Sequence, residues 1–414
     1  MIVSSTRGGS SVTLSEAIAT GLAPDGGLYL APPLAAHTGP WGHDLRSRAL
    51  TLLRPFFVDE FLAPHLEAIV DEAFTFDAPT KWLREDTGLL ELFHGPTAAF
   101  KDFGARFLAA SLSRLRKENT TVLVATSGDT GAAVASAFHR REGFRVVILY
   151  PDGRVSPRQA HQLGAFGDNV KAFRVDGTFD DCQRMVKEAF QDTALSKQHR
   201  LASANSISLG RLLPQMAYYA HASLSAVERG QGAPSFVIPT GNLGNAFAAL
   251  MARECGLPIE RIVLATNSNR VLADYVATGV YAPKASVATL ANAMDVGAPS
   301  NVERLRHRFP DVAKAVSADW VDDETIRQTI KWSAEPICPH TACGLAVLKR
   351  LRDAGTKGPF IVAATAHPAK FDSIVEPLIG HTVPVPPALA ELLSRPAHAE
   401  PMQPTINALT EALK

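Results

Sequence analysis

Short runs that are apolar throughout, or nearly so, recur along this chain and are separated by stretches with a helical pattern. They are Thr120 to Thr126 (TTVLVAT), Phe144 to Tyr150 (FRVVILY), Ser235 to Pro239 (SFVIP), Ile262 to Thr266 (IVLAT) and Phe360 to Thr365 (FIVAAT), and Val170 to Val175 is strand-like as well. A strand is apolar on both sides only where both of its faces are buried. That is the condition of a parallel sheet with helices packed above and below, and the patterns Ala132 to Arg141, Arg158 to Phe166 and Phe179 to Phe190 supply such covering layers. The expected class is α/β. A length of 414 residues allows two or three domains. The first ~80 residues read as a separate unit. It holds the turn Ala23-Pro24-Asp25-Gly26-Gly27, a loop at Pro32-Pro33 and a helical pattern from Asp59 to Phe74.

Charge narrows the function classes. Lys+Arg and Asp+Glu both number 41, so no global basic field exists to hold nucleic acid. The basic runs (Arg114, Arg116, Lys117; His139, Arg140, Arg141; Arg304, Arg306, Arg308) lack interleaved aromatics and read as solvated helix faces. No run reaches the ~18 apolar residues of a membrane span, and Met1 to Arg7 lacks the apolar centre of a secretory signal. Cys182, Cys255, Cys338 and Cys343 make no Cys-x-x-Cys pair, which points to a reducing, cytoplasmic compartment. The segment Cys338-Pro339-His340-Thr341-Ala342-Cys343 has the look of part of a metal site. It lacks a fourth ligand and regular spacing, so no metal is expected.

Ligands of open parallel sheets sit beyond the carboxyl ends of the strands. Two loops there are unusual: Ser127-Gly128-Asp129-Thr130-Gly131 after TTVLVAT, and Gly241-Asn242-Leu243-Gly244-Asn245 after SFVIPT. Each offers glycines, polar side chains and a helix start, the ingredients of an anion site. Neither matches a nucleotide-binding fingerprint, and a plain tight turn is the competing reading. A third element, Glu91 to Gly104, carries Lys101 between Phe100 and Phe103, just before a helical stretch from Ala105 to Leu115. Either desolvation lowers the pKa of this amine and makes it a nucleophile, or the side chain snorkels outward from a helix start.

These elements, in this order, resemble the pyridoxal-phosphate enzymes of the tryptophan-synthase β type (fold type II), and within them the threonine synthases with an N-terminal domain. The resemblance rests on HGPTAAFKDFGARF around Lys101, ATSGDTGAA, PTGNLGN and the Asn205 to Leu213 segment. It extends to Ala265-Thr266-Asn267, Asn292 to Val296 and Thr365 to Phe371, and runs from about Ser5 to Glu376. It implies parallel or mixed sheets covered by helices, an N-terminal domain over 1–80 and a catalytic region over 81–380. A smaller subdomain at about 105–210 would sit against a larger one, with a C-terminal appendage over 381–414.

The resemblance also implies that Lys101 forms the Schiff base with pyridoxal 5'-phosphate and moves protons, beside Phe100. Gly241, Asn242, Leu243, Gly244 and Asn245 would hold the cofactor phosphate through backbone N–H groups. Thr365 would meet the pyridine nitrogen, and Asp129 would lie beside the 3′ oxygen, where many relatives carry Asn and where a carboxylate needs a shared proton. The implied substrate is O-phospho-L-homoserine, its phosphate received by Thr126, Ser127, Thr130, Asn205 and Arg211, the arginine in bidentate fashion. Loss of phosphate from the γ carbon and addition of water at the β carbon would give L-threonine. The enzyme would act as a monomer or homodimer, with no nucleic acid or membrane partner. Departures from the family pattern are Leu209-Gly210 before the arginine, Leu243 for the commoner Phe, and Cys338 where an acidic residue is usual. The rival readings are a phospho-lyase that releases 2-oxobutyrate from the same substrate and a non-enzymatic relative.

Overall fold

The computed structural model describes residues 1–116 and 118–414; Lys117, at the end of one basic run, lies outside the described residues. The apolar runs divide between two sheets. The larger has the order Ser317–Trp320, Ile262–Thr266, Ser235–Pro239, Phe360–Ala364, Thr87–Glu91, Thr80–Arg84, and is parallel except for its last, antiparallel pair. The smaller is parallel throughout, in the order Glu400–Met402, Val170–Val175, Phe144–Pro151, Thr120–Ala125, Leu201–Ser203. Every residue of Thr120–Ala125, Ser235–Pro239 and Phe360–Ala364 is buried, as sheets covered on both faces require. A third, antiparallel sheet of Ile2–Ser5, Ser11–Thr13 and Tyr29–Leu30 belongs to the N-terminal unit.

The strands that carried no apolar run are short or polar, such as Leu201–Ser203 and Ser317–Trp320; pairing partners, not local pattern, hold them. The pattern from Asp59 to Phe74 resolves into one short 3₁₀ turn, Ala63–His65, and a helix at Leu66–Ala73, because Pro64 interrupts it. The stretch after Val383 supplies the edge strand Glu400–Met402 and the helix Ile406–Leu413, which packs on Phe179–Gln191. Arg145 donates to the Ala412 and Leu413 carbonyls, 2.6 Å each.

The basic runs are not simply solvated faces, and this corrects the expectation from their charge. Arg304 is fully buried; it donates to the carbonyl oxygens of Tyr29 (2.9 Å) and Ile207 (2.5 Å) and to Asn301 Oδ1 (2.6 Å). Arg308 donates to the Ala31 carbonyl and Arg116 to that of Ala19, while Arg114 and Arg141 both pair with Glu72. Guanidinium groups fit such seams because their planar donor fork satisfies several backbone carbonyls at once. Arginines thus tie the N-terminal unit to the rest of the molecule, and Arg304 does so through the segment that carries Asn205 and Arg211. Arg304→Ala is expected to lower the unfolding free energy by about 3 kcal/mol, since it strands buried carbonyl groups; urea denaturation followed by fluorescence measures it.

Candidate active site

The strand ends of both sheets deliver the chemistry. Thr126 follows Thr120–Ala125, Thr240 follows Ser235–Pro239, Thr365 follows Phe360–Ala364, and Asn205 lies just past Leu201–Ser203. Lys101 starts the helix Lys101–Leu115. The turn before it is held by the buried Asp102 carboxylate, which accepts from Thr97 N (2.9 Å) and Thr97 Oγ1 (2.7 Å). Gly95 is required there: a Cβ would stand 2.5 Å from Asp102 Oδ2. The same segment pairs with the end of Phe360–Ala364, Phe100 N donating to the Thr365 carbonyl (2.9 Å) and His367 N to that of Ala98 (3.0 Å). Lys101 and Thr365 are therefore neighbours.

The Lys101 amine has no hydrogen-bond or ion-pair partner among the described residues and lies 5.5 Å from the Phe100 ring centroid. Burial pushes its pKa down to about 8, with Asp129 opposing and Arg211 and Lys370 assisting that shift. Arg211 is itself buried and packs against Gly104, one turn along the Lys101 helix: a Cβ at Gly104 would lie 2.7 Å from the Arg211 carbonyl and 3.0 Å from its Nε. Arg211 donates to the Ala204 carbonyl, and among the described residues its Nε has no partner, as is also true of the buried Asn205 Oδ1.

Two loops offer unpaired N–H groups. Among the described residues no N–H from Gly241 to Asn245 donates to a protein acceptor, and the helix Gly244–Glu254 begins there. The loop's side chains hold it in shape. Asn242 donates to Ser206 Oγ (2.7 Å) and accepts from Ser300 N (2.5 Å), while Asn245 Oδ1 accepts from Thr240 Oγ1 (2.7 Å). Leu243 sits in the left-handed region at φ 65°, and a Cβ at Gly241 would come 2.7 Å from Met294 Cα. In the second loop the N–H groups of Ser127, Asp129 and Thr130 are likewise unpaired among the described residues, ahead of the helix Asp129–Phe138. Thr126 shapes it, its Oγ1 accepting from Gly128 N (3.0 Å) and Gly131 N (2.9 Å). A row of convergent N–H groups at a helix start fits a phosphate, and two such rows with a partnerless amine between them fit pyridoxal phosphate and a second anion. A cleft of about 320 Å³ opens past Ser127, Ser156, Asn292 and Asp295.

Comparison with known proteins agrees with this geometry. Residues 89–364 match the family of pyridoxal-phosphate dependent enzymes, 3–74 the threonine synthase N terminus and 341–413 the threonine synthase C-terminal family. The chain is 40% identical over 400 residues to the threonine synthase of Escherichia coli, covering 93% of this chain and 92% of that protein. The crystal structure of threonine synthase from Escherichia coli superposes with a TM-score of 0.93 at 38% identity, over 100% of this chain and 99% of the other. That of the pyridoxal-phosphate-bound threonine synthase from Brucella melitensis gives 0.89 at 34% identity, over 100% and 98%. The chain belongs to the threonine synthase family. It is an enzyme of the pyridoxal-phosphate-dependent, fold type II class, so the resemblance seen in the motifs is borne out for family, fold and cofactor.

Two departures from the threonine synthase pattern have physical accounts. Cys338 takes the part of an acidic helix cap: its Sγ accepts from Thr341 N (3.4 Å) at the start of Pro339–Asp353. Gly210 makes room for the N-terminal unit, since a Cβ there would meet Leu108 at 2.8 Å and Ile18 at 3.1 Å.

The motifs missed a polar group at the centre. Lys370 and Asp129, both buried, form an ion pair of 2.7 Å. Burial alone would raise the Asp129 pKa, but Lys370, Lys101 and His340 hold it well below the usual carboxylate range. The carboxylate thus has a cation beside it. Gln159 also donates to Asp129 Oδ1 (2.9 Å) and accepts from Asn292 (2.9 Å); a capping box with Ser156 orients it. His340 is neutral, burial pushing its pKa down to about 4. Its Nε2 accepts from Ala293 N (3.1 Å), which puts the proton on a buried, unpartnered Nδ1. Lys370 lies within the Thr365 to Phe371 segment of the resemblance, which assigned it no role; nothing in the sequence marked Gln159. Gly241→Ala is expected to weaken pyridoxal phosphate binding to the cofactor-free protein at least ~10-fold, because the Cβ displaces the loop; equilibrium dialysis measures this.

Proposed function

We propose that the chain converts O-phospho-L-homoserine and water to L-threonine and phosphate. Bound pyridoxal phosphate supplies an electron sink for charge developing on the substrate carbons. The chain's residues do the rest. Lys101 would hold the cofactor, and the N–H groups of Gly241, Asn242, Leu243, Gly244 and Asn245 would receive its phosphate. Phe100 would lie alongside, Thr365 at the ring nitrogen and Asp129 at the ring oxygen. The observations that carry this reading are the Lys101 amine without a protein partner, close enough to Asp129 to feel its charge, and the two rows of N–H groups unpaired among the described residues.

On the substrate side, Ser127 and Thr130 contribute N–H and hydroxyl groups, and Asn205 and Arg211 contribute buried polar atoms that lack protein partners. Thr126 acts mainly by shaping the loop, since its oxygen already accepts two bonds. Arg211 gives the phosphate its charge partner, and burial makes that contact stronger than it would be in water. Lys101 Nζ would take the α and β protons of the substrate and return two, one to the γ carbon once phosphate has left and one to the α carbon. Water supplies the β hydroxyl, and its remaining proton goes to the phosphate. An amine whose pKa is near 8 is suited to both directions. The substrate is a small molecule. No helix among the described residues is long and apolar enough to cross a membrane. The four free, buried cysteines support a reducing, cytoplasmic setting.

The test is incubation of the purified protein with O-phosphohomoserine and assay of both products; 2-oxobutyrate without threonine overturns the reading in favour of a phospho-lyase. Lys101→Ala is expected to remove both the visible absorption of the bound cofactor and all threonine formation. Arg211→Ala keeps the absorption and raises KM at least ~10-fold, a hydrogen-bonded charge having been removed. Cofactor loading has a definite pH sign. The nucleophile is the neutral amine, so the loading rate rises with pH and is half-maximal near the Lys101 value of about 8, as stopped-flow absorbance measures.

A further inference from the structure

Beside the Lys101 amine lie the buried Lys370 and two buried carboxylates, Asp129 and Asp102, and Asp102 is engaged by Thr97. We propose that Lys370 is a positioning residue for Lys101: by taking the Asp129 carboxylate for itself, it leaves the Lys101 amine without a counter-ion and free to act. The inference rests on Lys101 being the reactive amine, as proposed above.

A carboxylate buried to this degree must have a cation within reach or give up its charge. Lys101 and Lys370 are both near enough to Asp129 to act on it, yet only Lys370 is bonded to it. The chain aims Lys370 from both ends. Its Nζ donates to the Thr97 carbonyl at 2.8 Å as well as to Asp129 at 2.7 Å. Its backbone N–H donates to the His367 carbonyl (3.1 Å), and its own carbonyl accepts from Ser156 Oγ (2.8 Å). Gln159 Nε2 donates to the same carboxylate oxygen, Oδ1, at 2.9 Å. Both bonds fall on that one oxygen, so Lys370 and Gln159 engage the carboxylate while the Lys101 amine, near enough to act on it, is not bonded to it.

The other charged or titratable groups around Lys101 do not offer it a partner. Asp102, on its own helix, is engaged by Thr97. Arg211, from the segment Leu209–Leu212, is a like charge, and His340, from the helix Pro339–Asp353, is neutral. Asp129 is therefore the carboxylate that decides the state of the Lys101 amine. Remove the Lys370 ammonium and Asp129 is left with Lys101 as its nearest cationic partner. The two then pair, and Lys101 is held as an ammonium that can neither load cofactor nor accept a proton. Direct repulsion between the two lysines also works on Lys101, but it does not need Asp129. Dependence on Asp129 is what distinguishes positioning from simple repulsion.

The test uses the full-length, cofactor-free protein and reads Lys101 directly. Its acetylation by acetic anhydride is followed against pH and quantified by mass spectrometry of the Lys101 peptide. Wild-type protein is expected to half-react near pH 8, following the amine at about 8. K370M moves that midpoint up by about one pH unit or more, and D129N moves it down. K370M/D129N stays close to D129N, because K370M changes little once Asp129 is neutral. K370Q, which keeps a donor toward Thr97, gives the same upward shift and serves where K370M does not fold. An unchanged midpoint in both Lys370 variants overturns the proposal, as does a full K370M or K370Q shift persisting in the D129N background. In the cofactor-loaded enzyme the lower-pH limb of kcat/KM moves up with the midpoint, whereas a merely structural role would lower kcat/KM without moving it. The acetylation readout is independent of which product forms, so failure of this proposal and failure of the proposed reaction are told apart.

Discussion

Parallel strands present their carboxyl ends, and the starts of the helices that follow them, at one edge of the sheet, and the site depends on that constraint. The edges of the two sheets are tied together, Asp129 through Gln159 to Asn292 and Asn242 to Ser206, so two sets of unpaired N–H groups come near one another without any need for a cluster of cationic side chains at the surface. The loops at Ser127–Gly131 and Gly241–Asn245 carry side chains that spend their polar atoms on one another: Thr126 on two glycine N–H groups, Asn245 on Thr240, Asn242 on Ser206 and Ser300. The backbone is what remains for the ligand.

This arrangement reconciles the overall neutrality of the chain with binding of polyanionic small molecules. Positive potential is concentrated where water is excluded, in Lys101, Arg211 and Lys370, with Asp129 paired to Lys370. Low dielectric makes each of these charges act more strongly than its surface counterpart, and also makes their pairing decisive: one carboxylate shared among several cations sets which of them is free. In the basic runs elsewhere Arg304 and Arg308 donate to carbonyls, and Arg114 and Arg141 pair with Glu72, at the seam of the N-terminal unit.

Much of the fold was legible because burial on both faces leaves an unmistakable pattern; Ser235–Pro239, Ile262–Thr266 and Val170–Val175 run as their residues indicate. The helices at Lys101 and Asp129 begin a few residues earlier than their apolar pattern, since a helix start that binds a ligand is polar by necessity. Strands such as Leu201–Ser203 and Glu400–Met402 were hidden, being held by neighbours distant in the chain. In the site, loops and lysine announced themselves through glycines and local order, whereas Gln159, His340 and Lys370 come from separate elements and meet only after folding. Single residues whose partners are brought by topology leave no spacing to read.

The edge strand Glu400–Met402 has a bearing on how the molecule is made. It lies alongside Val170–Val175, and Arg145 in the adjoining strand grips the carbonyls that end the helix Ile406–Leu413. All of the large sheet's strands but two lie between these partners in the chain. As the polypeptide emerges during synthesis, the small sheet stands with one margin and part of one face uncovered until the large sheet has been produced in full. The two halves of the cleft are thus finished together, and a half-made chain has no completed site in which to trap a ligand.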